Sequence, residues 1–263
     1  MEQGNPRMTR TGTSEIIRVC SQNSMTGFVS FVKSFDCWAA DIDLTCVSPW
    51  NSQSKNQRAG TLISPRHVLF AAHFPVYKNY TITFVDTNNT VITRTVTEIR
   101  THADYVGNPV YYPDLTVGLL NADVPTNQIS YAKVLPDNYA DYIRTGRGLP
   151  CIRFDQEEKA TVGDITDVNS GDRRVSARSP TSQDRLAFNE ELITGDSGNP
   201  MFILLNNEPV LLTVLTNGGF GGGGTAIVAF KNDINGMMND LSPGGYQLEA
   251  IDLSGFDVLP IKE

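Results

Sequence analysis

Apolar residues in this chain come in short runs of β-branched and aromatic side chains, cut by turn residues, and almost nowhere at a sustained helical spacing. Between residues 16 and 124 the runs predict strands over 27–33, 58–64, 80–86 and 91–99. Asp86-Thr87-Asn88-Asn89-Thr90 separates two of them and predicts a hairpin turn, since Asn accepts a positive φ. The strand pattern fades over 125–142, where Pro125 and Pro136 mark a polar connection. It resumes over 150–154, 159–168, 174–177, 200–205, 210–215 and 225–230. Residues 232–241 predict one short helix with Asp233 near its start, and the stretch after it carries Pro243-Gly244-Gly245 and little periodicity, as a tail along the surface would. Two runs of about six strands joined by a polar crossing predict an all-β chain of two packed barrels. The parts are an extension over 1–15, a first barrel over 16–124, the connection over 125–142, a second barrel over 143–230, and helix plus tail over 231–263.

Bulk composition narrows the partners. The chain has 263 residues, 40% of them hydrophobic, enough for a sizeable core. A formal charge of -8 and a pI near 4.9 oppose a polyanionic partner, because nucleic-acid binders present a basic stripe that displaces counterions. Nucleic acid and membrane are therefore not expected partners, and no run approaches a bilayer span: residues 201–215 are broken by Asn206, Asn207, Glu208 and Pro209. The first residues have no apolar core of a secretory signal, so the expected location is inside the cell, or outside it (secreted or periplasmic) if a leader has been removed. Four cysteines, Cys20, Cys37, Cys46 and Cys151, lack the paired spacing of a zinc site and predict one or two disulfides or buried thiols.

Three short motifs carry candidate chemistry. Thr194-Gly195-Asp196-Ser197-Gly198-Asn199-Pro200 sets a serine between glycines, where a tight turn exposes its hydroxyl and aims the amides of Gly195 and Ser197 at one point. A serine hydroxyl is a weak nucleophile at neutral pH and needs a base, for which neutral imidazole is suited. Of the three histidines, His67, His73 and His102, His73 stands behind small Ala71 and Ala72 at the end of an apolar run; His67 falls in the Pro65-Arg66 turn and is expected to be an exposed loop residue. The imidazole needs a buried acceptor to hold one tautomer. Asp114, at the head of the apolar run 115–120, suits that role better than Asp104.

In these three places, and in the order His, Asp, Ser, the chain resembles the chymotrypsin-type serine proteases. The resemblance implies their double β-barrel and a serine endopeptidase that acts on peptide or protein substrates without cofactor or metal. In it His73, Asp114 and Ser197 are catalytic and the Gly195 and Ser197 amides form the oxyanion hole. Counting back six from the serine puts the floor of the specificity pocket at Glu191, where a carboxylate implies a Lys or Arg preference; Glu190 beside it leaves the register open, and a solvated loop carboxylate is the other reading of Glu191. Thr216, Asn217 and Gly218 would line the pocket wall and bond an extended substrate as an added strand. Gly221-Gly222-Gly223-Gly224 is expected to be a flexible loop at the rim and lacks the ending of a phosphate loop.

The departures from the family pattern are local. Asn199 replaces a glycine, and since Asn tolerates a positive φ better than most residues the loop is expected to survive. Phe74 replaces a cysteine that relatives bridge to the preceding strand. Asp196 has no Ile-Val-Gly-Gly segment to supply a new amino terminus, so an internal donor is expected. The rival reading is a catalytically inactive member of the fold acting as a binding or scaffold protein.

Overall fold

The computed structural model describes residues 17–20, 30–35, 37–48, 58–107, 113–144, 148–156, 158–169 and 171–259. The expected strand over 27–33 lies partly outside them. A two-stranded antiparallel ribbon pairs β1 (Ile17–Cys20) with β2 (Ser30–Lys33).

The first large sheet contains β3 (Thr61–Ser64), β4 (His67–Phe70), β5 (Thr81–Val85), β6 (Val91–Thr101) and β7 (Thr116–Leu120), in the order β3-β4-β7-β6-β5. Every neighbour in it is antiparallel. Long β6 makes the sheet curl: its first half pairs with β5, a register break follows between Val96 and Glu98, and its second half pairs with β7. The β5–β6 turn forms where the sequence places it. Asp86 Oδ1 accepts the amides of Asn88 and Thr90, each at 2.7 Å, and Asn89 takes φ 65°.

The second sheet holds β8 (Lys133–Val134), β9 (Leu149–Phe154), β10 (Ala160–Val168), β11 (Arg174–Arg178), β12 (Pro200–Leu205), β13 (Glu208–Val214) and β14 (Gly223–Thr225), in the order β14-β11-β10-β9-β12-β13-β8. Short β8 runs parallel to β13, and the rest are antiparallel. Asn206 and Asn207, at φ 51° and 67°, turn β12 into β13 as a two-residue hairpin loop requires. Amides of Thr216 and Asn217, just past β13, donate to Gly223 O of β14 at 2.8 and 3.1 Å, so the segment after β13 lies against the edge strand β14.

The chain is thus mostly β, with a curled, half-barrel sheet and one short helix at its C-terminal end, α2 (Lys231–Leu241), besides a single turn, α1 (Gln183–Leu186). The expected strand over 225–230 is replaced beyond Thr225 by a 3-10 turn, Ile227–Phe230, leading into α2.

One buried cluster joins the two halves, placing Leu69, Phe70 and Val117 with Phe154, Phe202 and Val214. Trp38 crosses between them, its indole N–H donating to Ala160 O at 2.9 Å. A second cluster belongs to the later sheet, and the tail enters it through Ile251 and Leu253. The tail is tied down along β8, with Val134 N donating to Glu249 O and Ile251 N to Val134 O, both at 2.9 Å. Cys46 and Cys151 are buried free thiols, and burial pushes the Cys151 thiol up to about 12. Among the described residues no helix is long and apolar enough to cross a membrane.

Candidate active site

His73 and Asp114 meet because their strands are neighbours. Phe70 at the end of β4 pairs with Thr116 at the start of β7, so the residues just beyond one and just before the other leave the sheet side by side. Ala72 N donates to Asp114 O at 3.3 Å and keeps the two segments together. The Asp114 side chain is fully buried, and its carboxylate accepts three bonds: His73 N to Oδ1 at 2.9 Å, His73 Nδ1 to Oδ2 at 2.6 Å, and Thr216 Oγ1 to Oδ2 at 2.8 Å. A carboxylate only accepts, so it holds the proton of a neutral ring on Nδ1 and leaves Nε2 as an acceptor. Nε2 lies 2.8 Å from Ser197 Oγ. Asp114's amide in turn donates to Thr225 Oγ1 at 2.9 Å, linking the first half to β14.

Ser197 reaches this point on a turn that depends on glycine. Gly195 takes φ 111° and Gly198 φ 84°, both in the region that a Cβ disfavours. Gly198 N donates to Leu215 O at 2.9 Å and Leu215 N to Asn199 O at 2.8 Å, stitching the turn to the end of β13. Among the described residues, neither the Gly195 nor the Ser197 amide donates to a backbone carbonyl.

Asn199 is not among the residues with positive φ, so the turn does not draw on its tolerance for that region. It is buried, and its side-chain amide donates to Asp196 O at 3.1 Å. The Asp196 carboxylate has internal donors, as expected, and they are backbone amides: Gln156 N to Oδ1 at 3.0 Å and Ile193 N to Oδ2 at 2.6 Å. The Gln156 side chain lies over Gly195, in the place that a Cβ there would occupy.

The residues expected to bind substrate divide. Thr216 Oγ1 donates to Asp114 Oδ2 at 2.8 Å, and Asn217 and Gly218 follow it in the chain. Asn217 exchanges backbone bonds with Gly223, at 3.1 and 3.3 Å, and Gly219 does so with Leu192; exposed Gly218, between them, has no backbone partner among the described residues. Glu191 corrects the expectation of a pocket floor. Its side chain is exposed, and Leu192 takes the inward position. In an extended segment successive side chains point to opposite sides, so a one-residue difference in register decides which of them faces in.

His67 is a second correction, being fully buried at the start of β4. The two-residue Pro65-Arg66 turn ends before it, and Ser64 Oγ lies 2.8 Å from Nδ1. Desolvation, reinforced by the Arg66 charge, lowers its pKa to about 4. The glycine run is a third. Gly223 and Gly224 are part of β14, and a Cβ on Gly221, Gly223 or Gly224 would overlap the carbonyl of Ala177, Val175 or Val214 respectively, so this is tightly packed backbone and not a loose rim.

Two arginines escaped the sequence reading. Arg153, fully buried in β9, donates to the carbonyls of Phe220, Gly221, Val162 and Glu190 at 3.0, 2.6, 3.2 and 3.1 Å, tying the segment at 190 to that at 220–221. Its only signal was a charge in an otherwise apolar strand. Arg58 lies between the rings of Phe74 and Tyr77, 4.2 and 4.5 Å from their centroids, and donates to Pro75 O at 2.7 Å. It fastens the segment after His73 to the chain before β3 without a thiol.

Among the described residues no group of three or more His, Cys, Asp and Glu could hold a metal ion. Compared with models of known protein families and with curated protein sequences, the chain matches none.

Proposed function

We propose that this chain is a serine endopeptidase of the chymotrypsin type, its two curled sheets corresponding to the two barrels of that fold. One observation carries the reading: the unbroken line from Asp114 Oδ2 through His73 Nδ1 and Nε2 to Ser197 Oγ, with separations of 2.6 and 2.8 Å.

In this mechanism an extended peptide lies along Gly218 and its carbonyl carbon sits at Ser197 Oγ. His73 Nε2 takes the hydroxyl proton as Oγ bonds to that carbon. The carbonyl oxygen becomes an oxyanion facing the amides of Gly195 and Ser197, where one well-placed donor contributes about 10² to 10³ in turnover. Asp114 stabilises the imidazolium. The imidazolium then passes its proton to the leaving amine, the acyl-enzyme forms, and water repeats the sequence to release the acid. The steps use no cofactor. Ester hydrolysis would need the same groups, so the assignment to peptides rests on the resemblance.

A fluorophosphonate probe tests the proposal. Labelling of the native protein that disappears in Ser197→Ala and falls sharply in His73→Ala supports it. A folded native protein that does not label refutes it and leaves the inactive binding or scaffold reading.

A further inference from the structure

The cleft beside Ser197 is shut where a substrate side chain would enter. Two segments flank the serine: residues 191–195 run into its turn, and residues 215–219 leave β13 past Asp114. With the attacked carbonyl oxygen at the Gly195 and Ser197 amides and the peptide extended along Gly218, the side chain preceding the cleaved bond points between these segments.

They are joined there by a backbone pair, Leu192 N to Gly219 O at 2.9 Å and Gly219 N to Leu192 O at 2.7 Å. A Cβ on Gly218 would lie 2.6 Å from Leu192 O. Hydrogen-bonded strands sit about 4.8 Å apart, which leaves no slot for a long side chain between them. The volume beneath is filled as well. Leu192 is 2% exposed; its Cδ1 occupies the place of a Cβ on Gly222, and Leu215 Cδ2 lies 3.6 Å from that same point. Arg153 ties Glu190 on one wall to Phe220 and Gly221 on the other, so the walls cannot part without breaking bonds to a buried guanidinium.

We infer, resting on the serine-protease reading, that the substrates are peptides with glycine, alanine or serine before the cleaved bond, and that Leu192 sets this limit. A larger residue would have to break the Leu192–Gly219 pair and displace a buried leucine. The exposed Glu191 carboxylate offers no floor for a Lys or Arg side chain.

The experiment is a peptide series varied only at that position, with Gly, Ala, Ser, Val, Leu, Phe, Lys and Glu, cleaved by the native chain, Leu192→Ala and Leu192→Val. Native kcat/KM is expected to favour Ala or Ser over Leu, Phe and Lys by about 10² or more, since a single methylene is worth roughly 10 to 200-fold in a pocket. The ratio of kcat/KM for Leu over Ala is expected to rise about tenfold or more in Leu192→Ala. It should rise by less in Leu192→Val, which serves as the informative variant if the alanine protein does not fold. Fluorophosphonate labelling of the native protein separates the two ideas. A chain that labels but cleaves best after Val, Leu, Phe, Lys or Glu overturns the inference and keeps the serine mechanism, and so does a Leu/Ala ratio unmoved by both substitutions. A chain that does not label fails at the earlier step, and the inference falls with it.

Discussion

The two sides of the candidate site are held by different means. On the first, His73 and Asp114 leave adjacent strands and are fixed by side-chain bonds: three donors meet one fully buried carboxylate. On the second, Ser197 and the cleft walls are fixed by backbone, through glycines at positive φ, amides donating to the Asp196 carboxylate, and carbonyls gathered by Arg153. The difference predicts where each side is vulnerable. Changing a functional group should disable the first with the fold intact, whereas adding a single carbon to a glycine should damage the second.

Asp114→Asn is the sharpest test of the first side. The amide would present a donor to the imidazole or to Thr216, and the tautomer that frees Nε2 would be lost. If the chain works as proposed, kcat on a cleaved peptide should fall by about 10⁴, as wrong-tautomer variants of such triads do. Far-UV circular dichroism should stay unchanged. A fall of less than tenfold would show that the carboxylate does not hold the base, and the comparison would lose its first term.

The two halves should also respond to pH in opposite directions. In the first, buried His67 stays neutral in the folded chain down to about 4, against an ordinary value of 6.5. As pH falls through that window the unfolded chain takes up a proton that the folded one refuses. Stability therefore declines on acidification, by about 3 kcal/mol in total at 1.36 kcal/mol per unit. In the second, buried Glu158 keeps its proton well above the ordinary 4.5, because burial and then the nearby Asp155 charge oppose ionisation. There the unfolded chain releases a proton that the folded one keeps, so stability declines as pH rises from 4.5. Urea unfolding of native, His67→Asn and Glu158→Gln chains across pH 4 to 8 separates the two contributions. His67→Asn should remove the fall on acidification below about 6.5 and Glu158→Gln the decline as pH rises from 4.5, two opposed slopes that overlap between these values; an unchanged acid slope in His67→Asn would remove the histidine from the account.

Gly221→Ala probes the backbone-built side. The new carbon would overlap Ala177 O, a main-chain atom of β11 that cannot move aside as a flexible side chain can. A loss of about 2 kcal/mol or more is expected, in the range of overpacked interiors. Gly171→Ala, whose Cβ would meet nothing within 4 Å and which, like Gly221, is not at positive φ, is the control without close packing. Equal losses in the two variants would mean that close packing does not explain the glycine run.

How far the sequence reaches follows the same division. The strands and the residues brought together at His73, Asp114 and Ser197 were legible because each depends on local chemistry: alternating apolar residues, small residues beneath a ring, glycines around a serine. What was not legible depends on who passes nearby. The glycine run looks flexible until β11 and β13 lie against it, and Glu191 looks like a pocket floor until the Leu192–Gly219 pair sets the register. His67 follows a proline and an arginine, which signal a loop, yet a turn of only two residues returns the chain at once to a buried strand. Arg153 could not be placed, since its acceptors are carbonyls up to 68 residues away.

The mildest change expected to register lies back on the first side, at the Arg58 clamp. A guanidinium is planar and lies against both Phe74 and Tyr77, whereas a lysine ammonium is a compact, strongly hydrated charge that cannot stack in the same way. Arg58→Lys keeps the charge and loses the stacking, and a cation–π contact is worth about 0.5 to 2 kcal/mol. At this chain length about 1 kcal/mol corresponds to a fall in Tm of roughly 2–4 °C. Phe74 stacks beside His73 at 6.4 Å between ring centroids, so looser packing there should also lower kcat by a small factor. Because the clamp contains no sulfur, dithiothreitol should leave the Arg58→Lys difference unchanged. A native Tm that drops on reduction, with Arg58→Lys indistinguishable from native, would show that a covalent link and not the arginine secures the segment behind the base.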